Sequence, residues 1–111
     1  MTRCVLYTDK DGQVTGFLCS GHAAYAEAGQ DIVCAAVSVL TQTCVNALES
    51  VAHVRPIVRM GEGFLAARLP RDTENRDANT LLNGMTEGLR GIASQYPDHF
   101  RLDMKPVSEW R

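Results

Sequence analysis

A cysteine and a histidine stand at the two ends of a short segment, and together they could perform nucleophilic chemistry. Cys34 lies near the predicted start of a helix, and His22 lies twelve residues upstream. The N–H groups at a helix N-terminus favour negative charge, so a thiol placed there loses its proton more readily. An imidazole that folds back beside it could hold the thiolate and later protonate a leaving amine, while the first-turn amides stabilise an oxyanion. The same residue types more often represent a core cysteine and a solvated histidine, so spacing alone leaves the function open.

Further residues near this pair are candidates for supporting roles. Asp31 precedes an apolar run and is expected to be the N-cap of the helix, although it could also be a third member of the site. Ser38 lies one helical turn after the cysteine, where it could face the site or satisfy a backbone carbonyl. Tyr25 is either a substrate contact or a side chain packed over the sheet. Gly21 and Gly29 bound an alanine-rich loop and are expected to act as hinges when a peptide binds.

The other three cysteines, Cys4, Cys19 and Cys44, lie among apolar or small neighbours. An even number of cysteines invites a disulfide interpretation, but nothing marks the chain for secretion. We therefore expect these three residues to be small buried hydrophobes. The chain has no Cys-x-x-Cys pair, and its histidines are not spaced to complete a zinc site, so we expect neither a metal nor a cofactor.

The chain divides into two similar halves that must position these residues. Each half is predicted to be a hairpin followed by a helix. Glycine-containing turns separate the predicted strands, which pair as residues 3–8 with 13–20 and residues 55–60 with 64–69. Apolar residues at three- and four-residue steps predict helices over 31–51 and 78–96, the second stopped by Pro97. Residues 100–105 alternate in polarity and could add an edge strand. The predicted fold is a single α/β (α+β) domain over residues 1–111, a two-layer sandwich with both helices on one face of a mainly antiparallel sheet.

Length and charge limit the classes of protein to which this chain can belong. Its 111 residues suit one domain, and a formal net charge of −2 provides no strong global attraction to nucleic acid or anionic membrane. We find no apolar run of the length that a membrane span needs and no signal-peptide core, and we expect a cytoplasmic protein.

The segment from Gly21 to Leu48 resembles the signature of the ribosomal-processing cysteine protease (Prp, or YsxB-like) family. Members carry Gly-His at the entrance of the loop, here Gly21-His22, and Asp-Ile-Val-Cys-Ala-Ala-Val-Ser at the start of the helix, here Asp31 to Ser38. This resemblance implies a cysteine endopeptidase in which Cys34 is the nucleophile and His22 the general acid/base. It also implies a metal-independent homodimer that removes the N-terminal extension of a bacterial large-subunit ribosomal protein, number twenty-seven, in support of ribosome assembly.

Two other classes of protein remain open from the residues. A ribosome- or RNA-binding module could use Arg55, Arg59 and Arg68, which could share one sheet face, with Arg71 just beyond. The negative overall charge favours a solvated face or a dimer interface for them, so we expect no direct nucleic-acid binding. A redox-sensing thiol protein would also place a cysteine at a helix start, but the Gly-His loop would then have no role.

Overall fold

The computed structural model describes residues 1–21 and 30–110, which form one five-stranded sheet and two helices. In chain order the elements are β1 (Thr2–Thr8), β2 (Val14–Ser20), α1 (Gln30–Ser50), β3 (Ile57–Gly61), β4 (Phe64–Arg68), α2 (Arg76–Gln95) and β5 (Phe100–Pro106), followed by a 3₁₀ turn over Val107–Glu109. The predicted order of two hairpins, each followed by a helix, is confirmed.

The strands lie in the order β3-β4-β2-β1-β5. Both hairpins are antiparallel, β2 joins them by pairing with β4, and β5 lies parallel to β1 at one edge. The predicted edge strand is therefore real, and the mainly antiparallel sheet is confirmed. Because β1 is paired on both sides, its first residues are held firmly beside the end of β2.

Both helices pack on one face of the sheet and enclose the core. Alternate strand residues such as Leu6 and Phe17 meet the buried stripe of α1 and Leu82 and Leu89 of α2. The stripe of α1 consists of residues at three- and four-residue steps, Val33, Val37, Thr41, Cys44 and Leu48.

The sequence has no uninterrupted apolar run of membrane-span length, as expected, but the average composition of α1 gives a different result. Between Ile32 and Ser50 this helix is long and apolar enough to cross a membrane by length and composition alone. Seven polar or acidic residues interrupt the segment, so its high average hydropathy is not visible as a continuous apolar run. Its buried stripe packs into the core of the domain, while Ile32 and Val39 of the same helix are exposed.

Two element boundaries differ from their predicted positions for identifiable reasons. β3 begins at Ile57 rather than at 55, because Pro56 has no N–H to donate to a neighbouring strand. α2 begins at Arg76 rather than at 78, because Asn75 caps it. The Asn75 side chain accepts a hydrogen bond from the Ala78 N–H at 2.9 Å, and its amide donates to the Ala52 carbonyl at 3.1 Å.

Candidate functional site

A cavity of about 270 Å³ lies where the start of β1, the end of β2, the first turns of α1 and the β3–β4 hairpin meet. Its polar wall includes Thr2, Cys34 and Ser38, and Met60 and Phe64 of the hairpin provide an apolar wall. Phe64 is 39% exposed and Met60 70% exposed, so the apolar wall is open to solvent. A partner with an apolar side chain can therefore approach the thiol from the hairpin side.

Cys34 is a partly buried thiol at this cavity and is not part of a disulfide. Its Sγ lies 3.1 Å from the Thr2 hydroxyl oxygen and 4.0 Å from the Gly21 carbonyl oxygen. The first four residues of α1 contribute N–H groups that have no acceptor within the helix, and Cys34 follows them directly. The predicted proximity of the thiol to a helix N-terminus is thus present.

The assignment of Asp31 as the N-cap is wrong. The helix begins at Gln30, so Asp31 lies inside the first turn, and Cys34 is the fifth helical residue rather than the third. Aspartate is favoured both at the N-cap and in the first turn, so its type alone does not fix the boundary. A supporting role for Asp31 in the site stays a prediction.

The remaining predicted site residues divide into those at the cavity and those outside the described residues. Gly21 and Ser38 both line the cavity, and Ser38 is exposed one helical turn after the thiol. Gly21 has a φ of 91°, and a Cβ there would lie 2.5 Å from the Met1 carbonyl oxygen. Only glycine suits this position without displacement of the chain. His22, Tyr25 and the loop to Gly29 lie outside the described residues.

Thr2 is a residue of the site that the sequence analysis did not predict, and the same holds for Met60 and Phe64. Thr2 is the first residue of β1 and is only 3% exposed, with its hydroxyl against the thiol. Alternation along β1 places it on the same face as Cys4 and Leu6, and this alternation was the available signal. Its contact with Cys34 depends on how the helix packs across the sheet, which no local pattern encodes.

The expectation that Cys4 and Cys19 are merely small hydrophobes is wrong, because the two residues form a disulfide. They lie directly opposite each other in the β1–β2 pair, with a Cα–Cα distance of 4.1 Å. A directly opposed antiparallel pair brings two Cβ atoms close enough for such a bond. The sequence shows neither the register nor the shared face that creates this pairing.

Cys44 does behave as the predicted small hydrophobe. It is buried and unbonded in α1, and desolvation raises the pKa of its thiol to about 11. All four cysteines lie in the described residues, and only Cys34 is both outside a disulfide and at the cavity. No three metal-ligating side chains converge within residues 1–21 and 30–110.

The residues of the predicted arginine patch do not line this cavity. Arg59 and Arg68 occupy the helix-free face of the sheet, each against the Trp110 ring, with guanidinium carbons 5.4 and 5.8 Å from its centroid. Arg55 instead approaches Glu49 at 3.7 Å near the end of α1. Arg59 and Arg68 thus share a face with the Trp110 ring, and Arg59 is exposed there.

Comparison with known proteins identifies the family. The family model described as cysteine protease Prp matches residues 1–101. The chain belongs to the Prp cysteine protease family. Relatives named ribosomal processing cysteine protease Prp are 34% identical in Bacillus subtilis (strain 168), over 92% of this chain and 96% of the relative, and 34% identical in Staphylococcus aureus (strain Mu50 / ATCC 700699), over 86% and 91%.

Solved structures of Prp from S. aureus have the same fold. The complex with a substrate peptide superposes with a TM-score of 0.87 at 31% identity, covering 95% of this chain and 100% of the other. The complex with a covalently linked product peptide gives a TM-score of 0.83 at 32% identity with the same coverage. The resemblance seen in the sequence and the α+β fold of the Prp family are therefore confirmed, and the protein is a cysteine peptidase by family.

Proposed function

We propose that this Prp family member is an endopeptidase in which Cys34 is the nucleophile and His22 the general acid/base. The observation that carries the proposal is the chemical state of the four cysteines. Cys4 and Cys19 are bonded to each other, and Cys44 is buried with a pKa raised to about 11. Among the four cysteines, Cys34 alone is both outside a disulfide and at the cavity, and a cysteine peptidase needs an accessible thiol.

The surroundings of Cys34 suit attack on a peptide carbonyl. In the proposed step, Sγ forms a bond to the carbonyl carbon, and the first-turn N–H groups of α1 stabilise the resulting oxyanion. The C–N bond then breaks as His22 protonates the leaving amine, and water hydrolyses the thioester. Cys34 follows His22 by twelve positions, and the carbonyl oxygen of Gly21, the residue before the histidine, lies 4.0 Å from Sγ. The chain therefore enters the loop beside the thiol.

We further propose that the substrate is the N-terminal extension of ribosomal protein number twenty-seven of the large subunit, cut by a cytoplasmic homodimer. Support comes from the ribosomal processing role in the names of the relatives and from the peptide complexes of the S. aureus protease. The apolar wall formed by Met60 and Phe64 suits a peptide with apolar side chains. Tyr25, Asp31 and Ser38 are proposed to support substrate binding.

The test is incubation of the protein with a synthetic peptide that spans the extension, with products identified by mass. We expect one cleaved bond with native protein, none with Cys34→Ala, and a rate at least about 100-fold lower with His22→Ala. Cys44→Ala is the matched control, because it removes the other thiol that is outside a disulfide and should keep cleavage. Cleavage by Cys34→Ala would overturn the proposal, and salt-sensitive ribosome binding without cleavage would favour a non-catalytic binding protein.

A further inference from the structure

The backbone that carries the Thr2 hydroxyl is held in place by β5. The Thr2 N–H donates to the His99 carbonyl at 3.1 Å, and Thr2 pairs with Phe100 across the β1–β5 ladder. The side chain is buried on the helix side of the sheet. The oxygen therefore occupies a position that the sheet fixes, whereas Cys34 is presented to it by the helix.

This hydroxyl can serve the thiol and the thiolate in different ways. Oγ1 lies 3.1 Å from the Cys34 sulfur and 3.5 Å from the Gly21 carbonyl oxygen, so its one proton is directed to one of them at a time. Beside a neutral thiol it can accept the S–H proton and donate to Gly21. Beside a thiolate it donates to the sulfur, and a hydrogen bond to a charged acceptor is roughly twice as strong as a neutral one.

We propose that Thr2 is a positioning residue that stabilises the thiolate of Cys34 and fixes its sulfur at the cavity. This proposal rests on the proposed function, in which that sulfur is the nucleophile. A donor held by the sheet favours the charged sulfur over the neutral one, because only the thiolate gains the stronger bond. Loss of the hydroxyl should therefore reduce the fraction of reactive thiolate at neutral pH.

The described lining of the cavity places no charged side chain around this sulfur. Among the described residues that line the cavity, Cys34 is the only group that titrates, because Cys19 is held in the disulfide. Neither β1, β2 nor the β3–β4 hairpin contributes a charged side chain to that lining. Outside the described residues, His22 is the titratable group that the proposed function places beside the thiol. His22 and Asp31 are unchanged in a Thr2 variant, so the effect of the hydroxyl is measured against a constant background.

The experiment is the pH profile of alkylation by iodoacetamide, with the label located on Cys34 by mass. Thr2→Val removes the hydroxyl at nearly constant shape, and Thr2→Ser keeps it. For Thr2→Val we expect the midpoint of the profile to move up by about one pH unit and kcat for peptide cleavage at neutral pH to fall roughly tenfold, with KM little changed. Thr2→Ser should restore both. The raised pKa of Cys44, about 11, keeps that thiol from contributing near neutral pH.

Thr86→Val is the matched control, since Thr86 is equally buried, donates to the Leu82 carbonyl at 2.8 Å within α2, and does not line the cavity. Its profile and kcat should match the native ones. An unchanged profile in folded Thr2→Val, or in Thr2→Ala should the valine variant not fold, overturns the proposal even if Cys34→Ala abolishes cleavage. Cleavage that survives in Cys34→Ala would instead overturn the proposed function, while the alkylation profile still reports on Thr2.

Discussion

Cys19 lines the same cavity as Cys34, yet the two sulfurs are in different chemical states, because Cys19 is bonded to Cys4 across the β1–β2 pair. The wall of the site next to the nucleophile is therefore a disulfide rather than a second thiol. This arrangement leaves Cys34 as the thiol that faces the cavity, and it ties the first strand, which carries Thr2, to the second, which leads to Gly21.

The disulfide predicts the number of reactive thiols in the denatured chain. Protein purified without reductant and alkylated in denaturant should carry two labels, on Cys34 and Cys44, and four after reduction. Disulfides are rare in the cytosol. The same count on protein denatured directly from cells therefore shows whether the bond is already present in the cell or forms during purification. Mass spectrometry makes the count, and four labels before reduction would show that Cys4 and Cys19 are not bonded in the isolated protein.

Cys44 predicts a loss of stability in alkaline solution. Burial raises the pKa of this thiol from 9.0 to about 11, so as the pH rises the unfolded chain releases the proton before the folded protein does. The stability contributed by the neutral buried thiol is complete below about pH 9 and is lost as the pH rises toward 11. Between pH 8 and pH 10.5, native protein should lose about 2 kcal/mol more unfolding free energy than Cys44→Ala.

Urea denaturation of both proteins at the two pH values measures this difference, and the ionisation of tyrosines and lysines cancels between them. Parallel losses in native protein and Cys44→Ala would show that Cys44 ionises as easily when folded as when unfolded.

Gly21 is predicted to be intolerant of any side chain. Both Gly21 and Gly12 have a left-handed φ, at 91° and 83°, but only at Gly21 would a Cβ meet another atom, the Met1 carbonyl oxygen at 2.5 Å. Gly12→Ala should therefore cost about 1 kcal/mol of unfolding free energy for its backbone alone, and Gly21→Ala clearly more. Gly21→Ala should also slow cleavage, because the start of β1 must shift away from Cys34. Equal losses of unfolding free energy in Gly21→Ala and Gly12→Ala, together with equal cleavage rates, would contradict the close approach of Gly21 to Met1.

Asn75 predicts a stability effect remote from the site. Asn75→Ala removes the cap of α2 and the bond to Ala52, and should lower the unfolding free energy by about 1–2 kcal/mol without changing kcat. Asn46→Ala is the control, because Asn46 is an exposed residue in the middle of α1. If the two variants unfold at the same urea concentration, the cap does not stabilise the helix.

Local periodicity was sufficient to predict the elements, and long-range pairing accounts for what could not be predicted. The helices and hairpins follow from apolar spacing and glycine turns, and the Gly21-His22 and Asp31–Ser38 segments were enough to place the protein in its family. The Cys4–Cys19 bond and the Thr2–Cys34 contact each join segments whose register and packing are set only by the whole sheet. Trp110 contacts Tyr7 and Arg68 on the sheet. These residues are far from it in the sequence, so no local pattern predicts the contacts.

The most direct test of the central claim is labelling with a substrate-derived peptide that carries a thiol-reactive electrophile in place of the scissile bond. We predict one label per chain, located on Cys34 by mass spectrometry, with cleavage activity lost in proportion to labelling and protection by unmodified substrate peptide. Labelling of Cys44 instead, or full cleavage activity after complete labelling of Cys34, would contradict the assignment of Cys34 as the nucleophile.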